Sequence, residues 1–209
     1  MGYFPFFIDI KGKKIVIVGG GKVAIGKLQR LLPYEPDITV IAPIICDEML
    51  HSEGISIVRR EFADEDINGA FAVIAATDDN ELNAHIYKLC AEKKILINTV
   101  DDKEKCSFIF PALVHRDEIT VGISTSGKSP LFARYLRQYI EEELDDSKIN
   151  ALSILGSYRE YVKSRFPTEV QRKEAFNAIF DLCLVCGENA PDNEEIKQLL
   201  ERVSEKYEA

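Results

Sequence analysis

Through Val100 the chain alternates between short apolar, β-branched runs and stretches whose apolar residues recur at helical spacing. Residues 14–18, 37–42, 55–58 and 95–100 read as strands. Residues 22–33 and 80–93 read as helices, the second with Leu82, Ile86, Leu89 and Cys90 at helical spacing. The run 70–76 is apolar without interruption, as in a strand buried on both faces of a parallel sheet. Strands alternating with helices imply such a sheet with right-handed crossovers. Beyond Val100 the pattern changes. Two more strand candidates, 107–111 and 118–124, precede a helix that opens at Ser129-Pro130 and runs to about Leu144. Serine there suits the cap and proline the first turn. After the polar break Asp145-Asp146-Ser147, helical periodicity alone remains, over 149–165, 168–187 and 192–207, with Pro167 and Gly187 as punctuation. The pattern predicts an α/β fold: a Rossmann-type parallel-sheet domain over 1–112, a connecting segment over 113–147 and a small all-helical C-terminal domain over 148–209.

The turn between the first strand and first helix carries the strongest chemical signal. Gly19, Gly20 and Gly21 precede Lys22-Val23-Ala24, so Gly19, Gly21 and Ala24 form a G-x-G-x-x-A fingerprint in its proper strand–helix context. The first glycine of such a turn permits a tight bend. The second lets backbone approach a pyrophosphate, and the third small residue lets helix and strand pack closely. The helix N-terminus then offers unpaired N–H groups to phosphate. In open α/β sheets, ligands bind beyond the carboxyl ends of the strands. Those ends are Gly19–Gly21, Pro43 and Ile44, Thr77-Asp78-Asp79, and Asp101-Asp102.

After the second strand stands Ile41-Ala42-Pro43, where a dinucleotide fold ordinarily has an acidic residue for the ribose hydroxyl. No Arg or Lys is there for a 2′-phosphate either, which favours NAD over NADP. Thr77 and Asp78 either meet the cofactor or cap the helix that follows. Asp101 is the strongest catalytic candidate: a carboxylate at the end of an apolar strand beside a nucleotide cleft can accept a proton. Asp102 next to it would raise one of the two pKa values if both were desolvated. The alternative for both is a solvated turn.

Hydrophobic residues make up 46% of the chain, enough for a globular core. A net charge of −9 argues against nonspecific nucleic-acid binding and against docking on an anionic membrane. No apolar run is long enough to span a bilayer. The N-terminus is apolar but short and lacks a basic n-region, and Gly2 is not followed by the Ser or Thr of a myristoylation site. A cytoplasmic protein is expected. Five cysteines are too few for a disulfide scaffold, and Cys183 and Cys186 form a lone C-x-x-C among apolar neighbours, which suits core cysteines on a helix. His51, His85 and His115 lie far apart in sequence, so no metal site is expected. Residues 103–137 carry six basic side chains against three acidic ones, a local excess that suits an anionic small ligand.

Several stretches together resemble one family. They are Phe4-Pro5, Val18 to Ala24, Ala75-Ala76-Thr77-Asp78-Asp79, Asn98-Thr99-Val100-Asp101, Ser107-Phe108-Ile109-Phe110-Pro111, and Ile123-Ser124-Thr125-Ser126-Gly127-Lys128-Ser129-Pro130. In order and spacing they are similar to the precorrin-2 dehydrogenase and sirohydrochlorin ferrochelatase family, the N-terminal part of siroheme synthases. The resemblance covers about residues 4–137, and the C-terminal helices match only in character. It implies a homodimer in which 113–147 is a dimerisation segment. It implies oxidation of precorrin-2 to sirohydrochlorin with NAD as hydride acceptor, and in some members insertion of Fe2+. Asp101 matches the family's essential aspartate, and Lys22, Val23, Pro43 and Ile44 its cofactor-contacting positions. A serine that is phosphorylated in some members is Thr125 here. Precorrin-2 is a polycarboxylate, so Ser124, Lys128, Arg134, His115 and Arg116 are the candidates to bind it. The methylation that makes precorrin-2 is expected to belong to another protein. Two other readings compete: a chelatase that keeps the fold without dehydrogenase activity, and a nucleotide-sensing regulatory module. The second would call for an acidic residue after the second strand, which this chain lacks.

Overall fold

The computed structural model describes residues 4–208, so Gly2 and the start of the apolar N-terminus lie outside the described residues. The chain divides after Pro111 into two compact units.

In the first unit five strands form a parallel sheet: β1 (Lys14–Val18), β2 (Asp37–Ile41), β3 (Ile55–Val58), β4 (Ala72–Ala75) and β5 (Leu96–Thr99). Their spatial order is β3-β2-β1-β4-β5, so the chain reverses direction across the sheet between β1 and β4. The strand alternation divides the core in two. Ile15 and Ile17 point to one face, where Ala24, Ile25 and Leu28 of α1 (Lys22–Leu31) cover them. Val16 and Val18 point to the other, toward Ile86 and Cys90 of α3 (Asn80–Lys93). Every residue of β4 is buried, as an apolar run between two helical layers requires. A short α2 (Asp47–Leu50) follows β2. The first helix ends earlier than its periodicity suggested. Pro33 converts the last turn to a tighter helix over Leu32–Tyr34, closed by Glu35 at φ 51°.

The expected strand over 107–111 does not form. This segment lies against the outer edge of β5 and bonds it largely through side chains. Ser107 receives the Ile97 N–H on its hydroxyl at 2.8 Å, and Asn98 Nδ2 donates to Phe108 O at 3.0 Å. Pro111, at its end, has no N–H to give a ladder.

The second unit begins with an antiparallel hairpin, β6 (Ala112–Arg116) and β7 (Ile119–Ile123), of which the sequence pattern had suggested only the second strand. α4 (Pro130–Glu143) follows, capped by Ser129 Oγ accepting from the Phe132 N–H at 3.1 Å. Four helices complete the unit: α5 (Asp146–Ser157), α6 (Arg159–Arg165), α7 (Glu169–Cys186) and α8 (Asn193–Glu208). The single helix expected over 149–165 is broken at Tyr158, directly after Gly156-Ser157, a pair that commonly bends helices. Thr168 and Gln171 cap α7 reciprocally. Phe166, Val162, Ile179, Cys183, Ile196 and Leu200 form the helical core. Cys183 is in that core as expected, whereas Cys186, at the helix end, is only partly buried.

Phe166 is the largest side chain fully buried in this core. Phe166→Ala should cost the helical core about 3–5 kcal/mol. Hydrogen exchange would report it as lost amide protection across α5–α8, with the strands of the first unit unaffected.

Candidate functional site: a nucleotide-binding rim

The register places the strand ends in one row. Val18 pairs with Ile41 and with Ala75, and Ala75 pairs with Thr99. The turns after these residues therefore share one rim, and the crevice where the strand order reverses opens between the turns after β1 and β4.

Two of the three glycines are required by packing at that rim. Gly19 sits at φ +123°, and a Cβ there would lie 2.2 Å from Ala76 O. A Cβ on Gly20 would lie 2.1 Å from Ile44 O and 2.9 Å from Ile45 Cα. These contacts, with Gly19 N–H donating to Ile41 O and Cys46 N–H to Gly20 O, draw the turns after β1, β2 and β4 together. Gly21 is different. Its φ of −94° suits any residue, and a Cβ there would meet nothing within 4 Å. Neither backbone conformation nor packing asks for glycine at this exposed position.

The helix that Gly21 opens has no side-chain cap and no acidic residue in its first turn. By contrast α3, which starts from the same rim, is capped by Asp79, whose carboxylate accepts from the Glu81 and Leu82 N–H groups. An uncapped helix N-terminus behind an open, Cβ-free approach fits a dinucleotide's pyrophosphate. Lys22, Val23, Pro43 and Ile44 are all exposed around it, Ile44 at 82%.

Thr77 does not cap the following helix, since Asp79 does. Its hydroxyl donates to Asn83 Oδ1 at 2.7 Å and accepts from the Asp79 N–H at 3.2 Å. Asp78 is exposed on the same turn.

Asp101 is exposed two residues beyond β5 and holds φ +61°, a left-handed conformation that aspartate tolerates better than most residues. The two neighbouring carboxylates are not both desolvated, since Asp101 is exposed. Asp102 is engaged with Lys105, Nζ to Oδ2 2.6 Å, and that hydrogen bond holds its carboxyl below the usual range. Its other oxygen caps the short turn Lys103–Lys105.

Two residues at this end of the site escaped the sequence reading. Lys27 lies on α1 at helical spacing from Ala24 and Leu31, with its ammonium 4.3 Å from the centre of the Phe110 ring. Burial lowers its pKa first and Arg30 next, while Cys106 and Asp101 act in the opposite sense. A lysine within a core-facing stripe was the available signal. The other is Cys106, whose thiol is raised above its ordinary range by burial. It accepts from the Thr99 N–H at 3.2 Å.

In the second unit Ser124, Lys128 and Arg134 are exposed around the turn that opens α4. Ser124 Oγ accepts from the Ser126 N–H at 3.2 Å, and Thr125 Oγ1 is engaged with the Ser129 backbone. His115 Nδ1 lies 3.2 Å from Thr120 Oγ1 across the hairpin. Arg116 is tied to Leu144 O and to the Asp146 carboxylate. Of the six basic residues that gave 103–137 its positive balance, Lys105, Arg116 and Arg137 are in ion pairs, so the local excess is weaker than the sequence implied.

Sheet order, glycine turn and uncapped helix define a nucleotide-binding α/β protein of the Rossmann type. Residues 6–112 match a family model described as "Putative NAD(P)-binding", and residues 116–143 one described as "Sirohaem biosynthesis protein central". The chain is 36% identical over 209 residues to a siroheme synthase of Photorhabdus laumondii, covering 97% of this chain and 44% of that protein. It is 40% identical over 183 residues to a siroheme synthase of Blochmanniella pennsylvanica, covering 86% of this chain and 38% of that protein. The fold matches a solved structure of SirC, a precorrin-2 dehydrogenase, with a TM-score of 0.72 at 22% identity, over 97% of this chain and 100% of that one. The chain belongs to the precorrin-2 dehydrogenase and ferrochelatase family that forms the N-terminal part of siroheme synthases. It spans less than half the length of these two curated relatives.

The glycines should separate by substitution. Gly20→Ala should destabilise the first unit by about 1–3 kcal/mol, because its new methyl meets backbone. Gly21→Ala should leave the denaturation midpoint close to wild type yet weaken NAD binding about tenfold or more, some 1.4 kcal/mol. Denaturation curves and NAD titrations on both variants test this.

Proposed function

We propose that this chain is a cytoplasmic, NAD-dependent precorrin-2 dehydrogenase that oxidises precorrin-2 to sirohydrochlorin and works as a homodimer. The observation that carries the reading is Asp101: an exposed carboxylate on the same rim as the glycine turn, just past β5, the neighbour of the crevice strand β4. Family membership supports the substrate, since matched relatives are named siroheme synthases and the matched structure is named precorrin-2 dehydrogenase.

Bound NAD supplies the hydride acceptor. Gly19, Gly20 and Gly21 shape the approach to its pyrophosphate, and the free N–H groups of Lys22 and Val23 meet the phosphate charge. Pro43 and Ile44 border the adenosine side, where the absence of a cation favours NAD over NADP. Thr77 and Asp78 border the crevice from the turn after β4. Asp101 accepts the proton that leaves precorrin-2 as the hydride departs, so the substrate loses two electrons and two hydrogens in all.

Ser124, Lys128, Arg134 and His115 are proposed to hold the substrate's carboxylates. Arg116, tied to Leu144 and Asp146, supports the turn between α4 and α5 instead. The dimer contact is assigned to α4, where Leu131, Phe132, Tyr135 and Tyr139 are 68%, 53%, 58% and 52% exposed along one helix. Among the described residues no group of three His, Cys, Asp or Glu side chains is placed to hold a metal ion.

Anaerobic incubation with enzymatically generated precorrin-2 and NAD tests the reading. NADH should appear one-for-one with sirohydrochlorin. Asp101→Ala should lower kcat about 100-fold or more with NAD affinity retained. NAD binding without turnover by the wild type would overturn the dehydrogenase reading.

A further inference from the structure

The edge of the sheet beside Asp101 is closed in an unusual way. β5 is the outermost strand, and among the described residues no sixth strand pairs with it. Two consecutive side chains cover its outward backbone groups instead. Ser107 serves Ile97: its hydroxyl accepts from the Ile97 N–H at 2.8 Å, and its own N–H donates to Ile97 O at 2.8 Å. Cys106 serves Thr99. Its sulfur accepts from the Thr99 N–H at 3.2 Å and, more loosely, from Asn98 Nδ2 at 3.6 Å. Its single proton is shared between two acceptors, Thr99 O at 3.2 Å and Asp102 O at 3.1 Å.

One thiol thus closes a loop from Thr99 to Cys106, with Asp101 inside it at φ +61°. Val100, at the start of the loop, is also held, its N–H donating to Ala75 O at 2.9 Å. Thr99 is 4% exposed, and its own hydroxyl is buried without a hydrogen-bond partner among the described residues. Asp102 fixes only the following turn, through the Glu104 and Lys105 N–H groups. If the sulfur were removed, the buried Thr99 N–H would lose the partner that replaces a neighbouring strand. Aspartate tolerates its left-handed conformation, but the orientation of the carboxylate still depends on how the two ends of the loop are held.

We infer that Cys106 is the positioning residue for Asp101, its thiol bridging Thr99 and Asp102 so that the loop presents the carboxylate in one orientation to the rim. The inference rests on the proposed role of Asp101. The thiol is the form that can donate to both carbonyls in turn, and burial beside Thr99 keeps it protonated. Serine can also donate and accept but reaches less far, while alanine can do neither.

The test uses the full chain as wild type, Cys106→Ser, Cys106→Ala and Asp101→Asn. Hydrogen exchange is read alongside NAD titration and precorrin-2 oxidation. Cys106→Ala should speed amide exchange at Thr99 and across 101–105 about tenfold or more, with Val100, β1 and β4 unchanged. It should lower kcat about 10–100-fold, the scale of a misplaced reacting group, with the KM for precorrin-2 and the Kd for NAD within about twofold. Cys106→Ser should recover most of both losses.

Unchanged exchange in the loop, or a kcat for Cys106→Ala within about twofold of wild type, would overturn the inference. So would a rise in KM and Kd that accounts for the whole loss, since that marks a general disturbance of the unit. Full activity in Asp101→Asn would remove the group being positioned and overturn it too. If the wild type oxidises no precorrin-2, the parent reading fails while the exchange measurement still decides whether Cys106 holds the loop.

Discussion

Backbone meets backbone at the rim of the sheet: Gly19 lies against the Ala76 carbonyl and Gly20 against the Ile44 carbonyl. The site depends on this contact. With β1, β2 and β4 ending in register, any side chain at either glycine would force their turns apart. The crevice between β1 and β4, the open approach at Gly21 and the start of α1 all follow from that closeness. Glycine here serves two separate ends. Two positions satisfy the protein's own packing, and the third leaves space in which the protein places nothing.

The two helices that begin on this rim divide the electrostatic work. α3 satisfies its first N–H groups internally through Asp79. α1 leaves its own without a side-chain cap and carries no acidic residue that would repel an anion. Such an end costs stability unless water or a ligand completes it. That asymmetry between neighbouring helices fits the NAD(P)-binding character of the family better than the glycine motif does alone.

The acidic end of the rim is organised differently. Asp101 and Asp102 are adjacent in sequence but separate in role. Lys105 and two backbone N–H groups take up Asp102, leaving Asp101 exposed and in a left-handed conformation. Lys27 approaches from α1 over Phe110, bringing a partly desolvated cation toward the same corner. A thiol, an amide and a hydroxyl close the sheet edge where a further strand would otherwise be needed, which protects it from pairing with another chain.

Taken alone, the sequence determined the parallel α/β class, the positions of the five parallel strands, the glycine turn and the helical C-terminal region, because each is written in local periodicity. Five separated motifs beyond the glycine turn also pointed to the family. Tertiary structure alone decided the rest. It showed that Asp79 rather than Thr77 caps α3, that 107–111 borders the sheet without joining it, and that Arg116 and Lys105 are engaged in ion pairs. It also brought Cys106 against the Asp102 carbonyl and Lys27 over the Phe110 ring. Those outcomes turn on which polar groups meet across the chain once the strand ends align, and spacing along the sequence carries no record of that meeting.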